Sequence, residues 1–216
     1  MRALGINGSP RREWNTATLL RSALEGAESV GAQTELVHLY DLDYRGCTSC
    51  FTCKRKGNSC NGLCAMRDDL REVLEAVLAT DVLILGSPIY FGDVTGETRS
   101  FLERLLFPNI SYDEFGRSDF PRQVSCGLIF TMNCPAQYVK DVGYDVLFEN
   151  YVRLMGILKG PCELLTSHET WQFSDYSVMN AAMFDVEAKA RRRAEQFPVD
   201  CQRAFEMGAR LAKEQS

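Results

Sequence analysis

Histidine is nearly missing from this chain: of 216 residues only His38 and His168 carry an imidazole. General acid–base catalysis most often leans on that ring, so triad hydrolases and His-rich metal sites are poor readings. No apolar stretch approaches the roughly 20 residues that span a bilayer. Met1-Arg2-Ala3 runs straight into strand-like sequence, without the basic and apolar regions of a signal peptide. A cytoplasmic protein with no membrane partner is expected. A surplus of positive charge is missing too, since 24 basic against 29 acidic side chains leave a formal net charge of -5. The dense basic runs are Lys54-Arg55-Lys56 and Arg191-Arg192-Arg193. Without a broad basic footprint, nucleic acid is not an expected partner. Internal repeats, linkers and low-complexity segments are also missing, so one domain over residues 1–216 is expected. A domain of that length buries roughly 70% of its unfolded surface and needs no disulfide staples.

Cysteine, by contrast, is plentiful. Five of the nine, Cys47, Cys50, Cys53, Cys60 and Cys64, fall within 18 residues of a loop at 46–67. In a reducing compartment such crowding reads as metal or redox chemistry rather than as disulfides. The pattern C-x2-C-x2-C-x6-C-x3-C begins with spacings that let thiolates converge on one compact iron–sulfur cluster. Four thiolates also satisfy zinc, although structural zinc sites more often use two pairs spread over a longer loop. A third reading leaves the thiols reduced and metal-free. Lys54, Arg55 and Lys56 would offset a cluster's negative charge, steer an acidic electron-transfer partner, or form a solvated surface.

Hydrophobic periodicity supplies the frame. Short apolar runs at Ala3–Asn7, Thr34–Tyr40, Val82–Leu85, Val124–Thr131 and Cys162–Leu165 read as strands. Between them, Ala17, Leu20, Leu24, Ala27 and Val30 share one helical face, as do Leu70, Val73, Leu74, Val77 and Leu78 after Asp68-Asp69. Further helices are expected around Phe101–Leu106, over Val139–Leu158 and from about Asp185 to the end, with Pro198 starting a second one. Alternating strands and helices imply an α/β three-layer sandwich, a five-stranded parallel sheet with helices on both faces. Ligands of such sheets sit beyond the carboxyl ends of the strands. That directs attention to the loops Gly8–Thr16, Gly86–Gly96 and Thr131–Pro135.

The first loop, GSPRREWNTATLL, places Ser9, Asn15 and Thr16 at a helix N-terminus, where backbone N–H groups and short side chains can surround a phosphate. Arg11 or Arg12 can add a charge-assisted bond. The loop matches neither the G-x-x-x-x-G-K-[ST] pattern nor G-x-G-x-x-G, so a monophosphate suits it better than a pyrophosphate. The second loop, GSPIYFGDVTGETRSFLERL, joins Pro88, Tyr90 and Phe91 to three glycines that let backbone approach a flat ligand. Taken singly, an N-capped helix and a loop packed on the core by its aromatics explain these two segments as well.

Together with CTSCFTCKRKGNSCNGLCAMRDDL, these segments resemble the NAD(P)H-dependent FMN reductase-like flavoproteins of the flavodoxin-like fold, and within them the iron–sulfur flavoproteins. The likeness is dense from Met1 to roughly Leu106 and topological beyond. It implies that Ser9, Arg11, Asn15, Thr16 and Ala17 bind the FMN phosphate end, that Pro88, Ile89, Tyr90, Phe91 and Gly92 line the isoalloxazine, and that Thr131, Met132 and Asn133 complete the site. Trp14 stands where the family usually has Gly. The implied activity is an FMN-dependent oxidoreductase that moves reducing equivalents from NAD(P)H or a redox partner through the flavin, coupled to a [4Fe-4S] cluster if one is present. The alternatives are a dedicated electron carrier serving a ferredoxin-like partner, and a zinc-stabilised binding module. Cys47, Cys50, Cys53 and Cys60 are the expected cluster ligands, with Cys64 as the rival fourth. A homodimer or homotetramer is expected, its contact formed by the aromatic insertion Ile110–Phe120 near the flavin. Arg191-Arg192-Arg193, flanked by Glu187 and Glu195, reads as a salt-bridged exposed face; His168, just past the fifth strand, reads as a neighbour of the active-site rim or, as is more usual for an isolated histidine, as a structural residue.

Overall fold

A computed structural model describes residues 1–57 and 61–213. Five parallel strands, β1 (Arg2–Asn7), β2 (Gln33–His38), β3 (Val82–Tyr90), β5 (Val124–Thr131) and β6 (Lys159–Ser167), stand in the order β2-β1-β3-β5-β6. The short β4 (Asp93–Val94) pairs antiparallel with the end of β3. Helices α1 (Asn15–Glu28) and α6 (Phe197–Lys213) cover one face, and α2 (Leu70–Ala79), α3 (Gly96–Leu106) and α4 (Tyr144–Met155) the other. A further helix, α5 (Val186–Glu195), precedes α6. This is the expected three-layer arrangement.

The central strand β5 is buried at all eight positions, as its unbroken apolar run requires. On one face Leu19, Leu20, Ala23 and Ala27 of α1 meet Ala204, Met207 and Leu211 of α6. The two helices approach so closely that a Cβ on Gly208 would lie 1.8 Å from the Ala23 carbonyl oxygen, and one on Gly26 1.9 Å from that of Phe205. On the other face Leu70, Leu74, Phe101, Leu105, Phe148 and Tyr151 pack against the sheet.

Four expectations need correction. Strand β3 does not stop at Gly86-Ser87-Pro88 but continues to Tyr90, because the turn at Phe91 and Gly92, both at positive φ, folds it back onto β4. The Val139–Leu158 helix shortens to Tyr144–Met155, bounded by Gly143 at φ 74° and by Gly156. The insertion Ile110–Phe120 joins the end of α3 to the start of β5, so it lies at the edge of the sheet opposite the carboxyl ends. There Phe120 is buried and its carbonyl accepts from Lys159, while Ser118 Oγ donates to Ile157 O at 2.6 Å. The arginine run does not pair with its flanking glutamates either: Arg192 bridges Asp200 at 2.8 Å, and Arg193 lies over the Phe197 ring at 4.0 Å.

Candidate functional site

The strand order reverses between β1 and β3, and the loops leaving these two strands diverge there to open a crevice. After β1 the buried Asn7 folds the turn: its Oδ1 accepts from Ser9 N–H at 3.1 Å and its Nδ2 donates to His38 Nδ1 at 2.8 Å. Gly8 is confined, since a Cβ would meet Thr98 Oγ1 at 1.8 Å. The Thr95 hydroxyl donates to Gly8 O at 2.7 Å and accepts from Thr98 N–H at 3.3 Å, tying the first loop to the start of α3.

Ser9, Arg11, Asn15 and Thr16 line one cleft together with Pro88, Ile89, Tyr90, Thr131, Met132 and Asn133. The three loops singled out in the sequence thus meet. Ala17 differs: its side chain is fully buried in the core, so its contribution is the backbone. Thr18 N–H makes the first intrahelical bond of α1, to Trp14 O at 2.9 Å, so the amides of Asn15, Thr16 and Ala17 have no acceptor within the helix. Phe91 projects fully into solvent at the rim, beside Gly92.

Two expected phosphate ligands are occupied by protein partners. Asn15 donates its Nδ2 to Trp171 O at 2.7 Å and accepts on Oδ1 from Arg193 at 2.8 Å, so both ends of the amide are held. Thr16 Oγ1 lies 2.8 Å from Thr131 Oγ1. Sequence reasoning missed the segment 170–173, whose Thr170, Trp171, Gln172 and Phe173 form a wall of the cleft. Trp14 Nε1 donates to Trp171 O at 2.8 Å, and Arg11 donates to Gln172 O while its guanidinium lies over the Trp14 ring. Trp14, at the family's usual glycine position, therefore anchors this segment.

Both histidines are structural and neutral. Burial, then the Arg12 charge, depresses the His38 pKa; Asn7 donates to its Nδ1, which must be unprotonated. Burial also depresses His168, whose Nδ1 faces Cys134 O at 3.2 Å and must donate, leaving Nε2 to accept from Thr166 Oγ1 at 3.0 Å.

Cys47, Cys50, Cys53 and Cys64 line a second, small pocket with Phe51, Met66, Glu103, Arg104, Phe107 and Pro108. Ser49 and Phe51, both at φ 54°, bracket Cys50 and turn the chain sharply on either side of it. Hydrogen bonding to Thr52 lowers the pKa of the surface thiol of Cys50, whereas burial raises that of Cys53. Cys64 is buried; Cys60 lies outside the described residues. Among the described residues no three Cys, His, Asp or Glu side chains converge tightly enough to hold a single metal ion. The donor set fits a thiophilic metal group in chemistry, with the buried cation Arg104 beside it. Lys54 does not face solvent alone: its ammonium bonds to Pro108 O at 3.1 Å and to Ile110 O, and covers the rings of Phe107 and Tyr112. It tethers the cysteine loop to the body of the domain.

A β2-β1-β3-β5-β6 parallel sheet with its cleft at the β1/β3 reversal defines a flavodoxin-like α/β protein. Residues 1–117, more than half of the chain, match the NADPH-dependent FMN reductase family, and the chain belongs to it. It is 38% identical over 104 residues to an iron–sulfur flavoprotein of Methanocaldococcus jannaschii, covering 48% of this chain and 51% of that protein. It is 36% identical over 128 residues to an iron–sulfur flavoprotein of Archaeoglobus fulgidus, covering 59% and 60%. The chain thus spans about half the length of the curated relatives it matches. Among solved structures it is similar to an NAD(P)H:quinone oxidoreductase from Methanothermobacter marburgensis, with a TM-score of 0.71, 15% identity and 98% of each chain covered. An azoreductase from Bacillus anthracis gives 0.65 at 10% identity, covering 97% of this chain and 99% of that one. At such identities the likeness is one of fold. No helix among the described residues is long and apolar enough to cross a membrane.

Proposed function

We propose that the chain is an FMN-dependent oxidoreductase that takes reducing equivalents from NAD(P)H or a redox partner and passes them on at the β1/β3 cleft. One observation carries the reading: a single cleft gathers the first loop, the 88–90 segment and the 131–133 segment. In it Ser9, Arg11 and the amides at 15–17 hold the phosphate, while Pro88, Ile89, Tyr90, Thr131, Met132 and Asn133 hold the ring. The cleft has a volume of about 180 Å³, smaller than the 300–1,000 Å³ common for small-molecule sites. A flavin therefore rests partly on the open rim at Tyr90, Phe91 and Gly92. Bound FMN supplies the hydride chemistry, and the protein supplies position and electrostatics. That division of labour accords with two histidines that are both committed to structure.

Support for a second reading, an iron–sulfur electron carrier without substrate turnover, comes from the thiol pocket at Cys47, Cys50, Cys53 and Cys64. The pocket is flanked by Glu103 and Arg104 in the far half of α3, and the start of the same helix is tied to the first loop of the cleft by the Thr95 hydroxyl on Gly8 O. The working form is proposed to be a cytoplasmic homodimer or homotetramer. Tyr90 and Phe91, exposed where β3 ends at the cleft, replace the insertion Ile110–Phe120 as its contact.

Anaerobic purification followed by a visible spectrum, FMN titration, and iron, sulfide and zinc analysis tests these readings. Flavin bands with NADH- or NADPH-dependent bleaching and turnover of an acceptor support the oxidoreductase. Flavin with a cluster but no turnover supports the carrier, and zinc without flavin supports a binding module.

A further inference from the structure

One buried charge near the cleft has no part in the reading above. Lys189, on α5, is only 7% exposed, although sequence places it on a helix of alternating charge. Its Nζ donates to Asn133 Oδ1, to Thr170 O at 3.3 Å and to Glu169 O at 3.4 Å. All three acceptors are neutral oxygens. The nearby charges offer little compensation: Glu169 is exposed, and Arg192 is a second cation already bridged to Asp200. The Phe184 ring, 5.1 Å from Nζ, adds a cation–π contact but no negative charge; burying an ammonium without a closely paired anion is costly, and an anion brought within a few ångströms relieves that cost.

The bond to Asn133 carries the chemistry further. An ammonium has donors only, so the amide oxygen must face Lys189. The NH₂ group is then the polar end that Asn133 has left for a ligand, and Asn133 lines the cleft together with Thr170. The same ammonium holds the carbonyl of Thr170, whose N–H bonds Met132 O at 3.0 Å. One side chain thus sets both the amide and the wall that flank the ring-binding side of the cleft.

We propose that Lys189 is a positioning residue of this cleft, orienting the Asn133 amide as a donor and biasing the site electrostatically toward the reduced, more negatively charged cofactor. The proposal rests on the FMN reading and adds a specific source for the potential at which the site works. It acts through Asn133 and through its field, without contact to the reacting atoms.

The test compares parent, Lys189→Met, Lys189→Gln and Lys189→Arg proteins loaded with FMN. Fluorescence titration reports the affinity for oxidised FMN, and anaerobic dye equilibration the two-electron midpoint potential. In Lys189→Met the preference for reduced over oxidised FMN is expected to fall by about tenfold, which lowers the potential by about 30 mV. Lys189→Gln keeps an N–H donor for Asn133 but not the charge; it should show the same fall, and it carries the test if Lys189→Met does not fold. Lys189→Arg should restore most of the potential. Folded, FMN-loaded Met or Gln variants with the parent potential overturn the proposal, whatever happens to their thermal stability. A parent that takes up no FMN overturns the FMN reading and this proposal together, whereas a parent that binds FMN with variants of unchanged potential removes this proposal alone.

Discussion

Arg104 grips Asp68 with both of its terminal nitrogens, at 2.8 and 3.0 Å, from a side chain with no exposed surface. The same guanidinium donates to Arg45 O at 2.8 Å and to Met66 O at 3.5 Å, while its buried Nε has no hydrogen-bond partner among the described residues. Arg45 and Met66 flank the cysteine segment, so one arginine of α3 pins both ends of the loop. Asp68, at the start of α2, serves this clamp from the positive end of the helix. Asp69, the N-cap residue of α2, accepts from Asp43 N–H at 2.9 Å and makes no side-chain capping bond to the helix. Hydrogen bonds from Arg104 hold the Asp68 carboxyl below its ordinary pKa.

Arg104→Met should therefore cost on the order of 3 kcal/mol, because it strands a half-buried carboxylate and two loop carbonyls. Urea unfolding checks the size. Limited proteolysis should show the first cuts within 46–67, and loss of less than about 0.5 kcal/mol would show that the clamp does not stabilise the fold.

Arg11→Ala should weaken FMN by about tenfold, the effect of one charge-assisted bond, and Ser9→Ala by a similar factor. Both are read by flavin fluorescence quenching. Unchanged titrations in both variants would place the phosphate elsewhere.

The two histidines set a pH limit. Each has its folded pKa held below the unfolded value of about 6.5 by burial. Their contribution is complete above that value and is lost as pH falls through it toward the depressed folded values, since the unfolded chain then binds the proton first. Melting temperature should drop between pH 7.5 and 5, and His38→Gln with His168→Gln should flatten the slope. An equal slope in the double variant would assign the acid sensitivity to other groups.

Cys64→Ser should strip or degrade metal from anaerobically prepared protein while leaving FMN bound, because Cys64 shares the pocket of Cys47, Cys50 and Cys53. Cys60→Ser is the paired measurement. Full iron in the Cys64 variant and loss in the Cys60 variant would reverse the assignment of the fourth ligand, and full iron in both would show that neither thiol is essential.

Much of the site was legible because the signals are local. An unbroken apolar run marks β5, and glycine and hydroxyl residues after β1 mark a helix start; the end of β3 at Tyr90 was not legible, because Gly86-Ser87-Pro88 reads as the stop of that strand. Those signals place the loops at the carboxyl edge once the sheet is parallel. What each loop side chain then bonds was not legible: Asn15 meets Arg193 from 178 residues away. The burial of Lys189 and of Phe120 was not legible either, since periodicity does not reveal what a neighbouring element covers.

The order of strands and helices, the family likeness and the clustering of thiols follow from the linear chain, because they depend on residue type and short spacing. Tertiary structure alone decided that Trp171 O and Gln172 O take up donors of Trp14, Asn15 and Arg11, and that one arginine closes the cysteine loop. The physical reason is that every residue carries the same backbone carbonyl. Its identity says nothing about which donor it will meet until packing brings distant segments together.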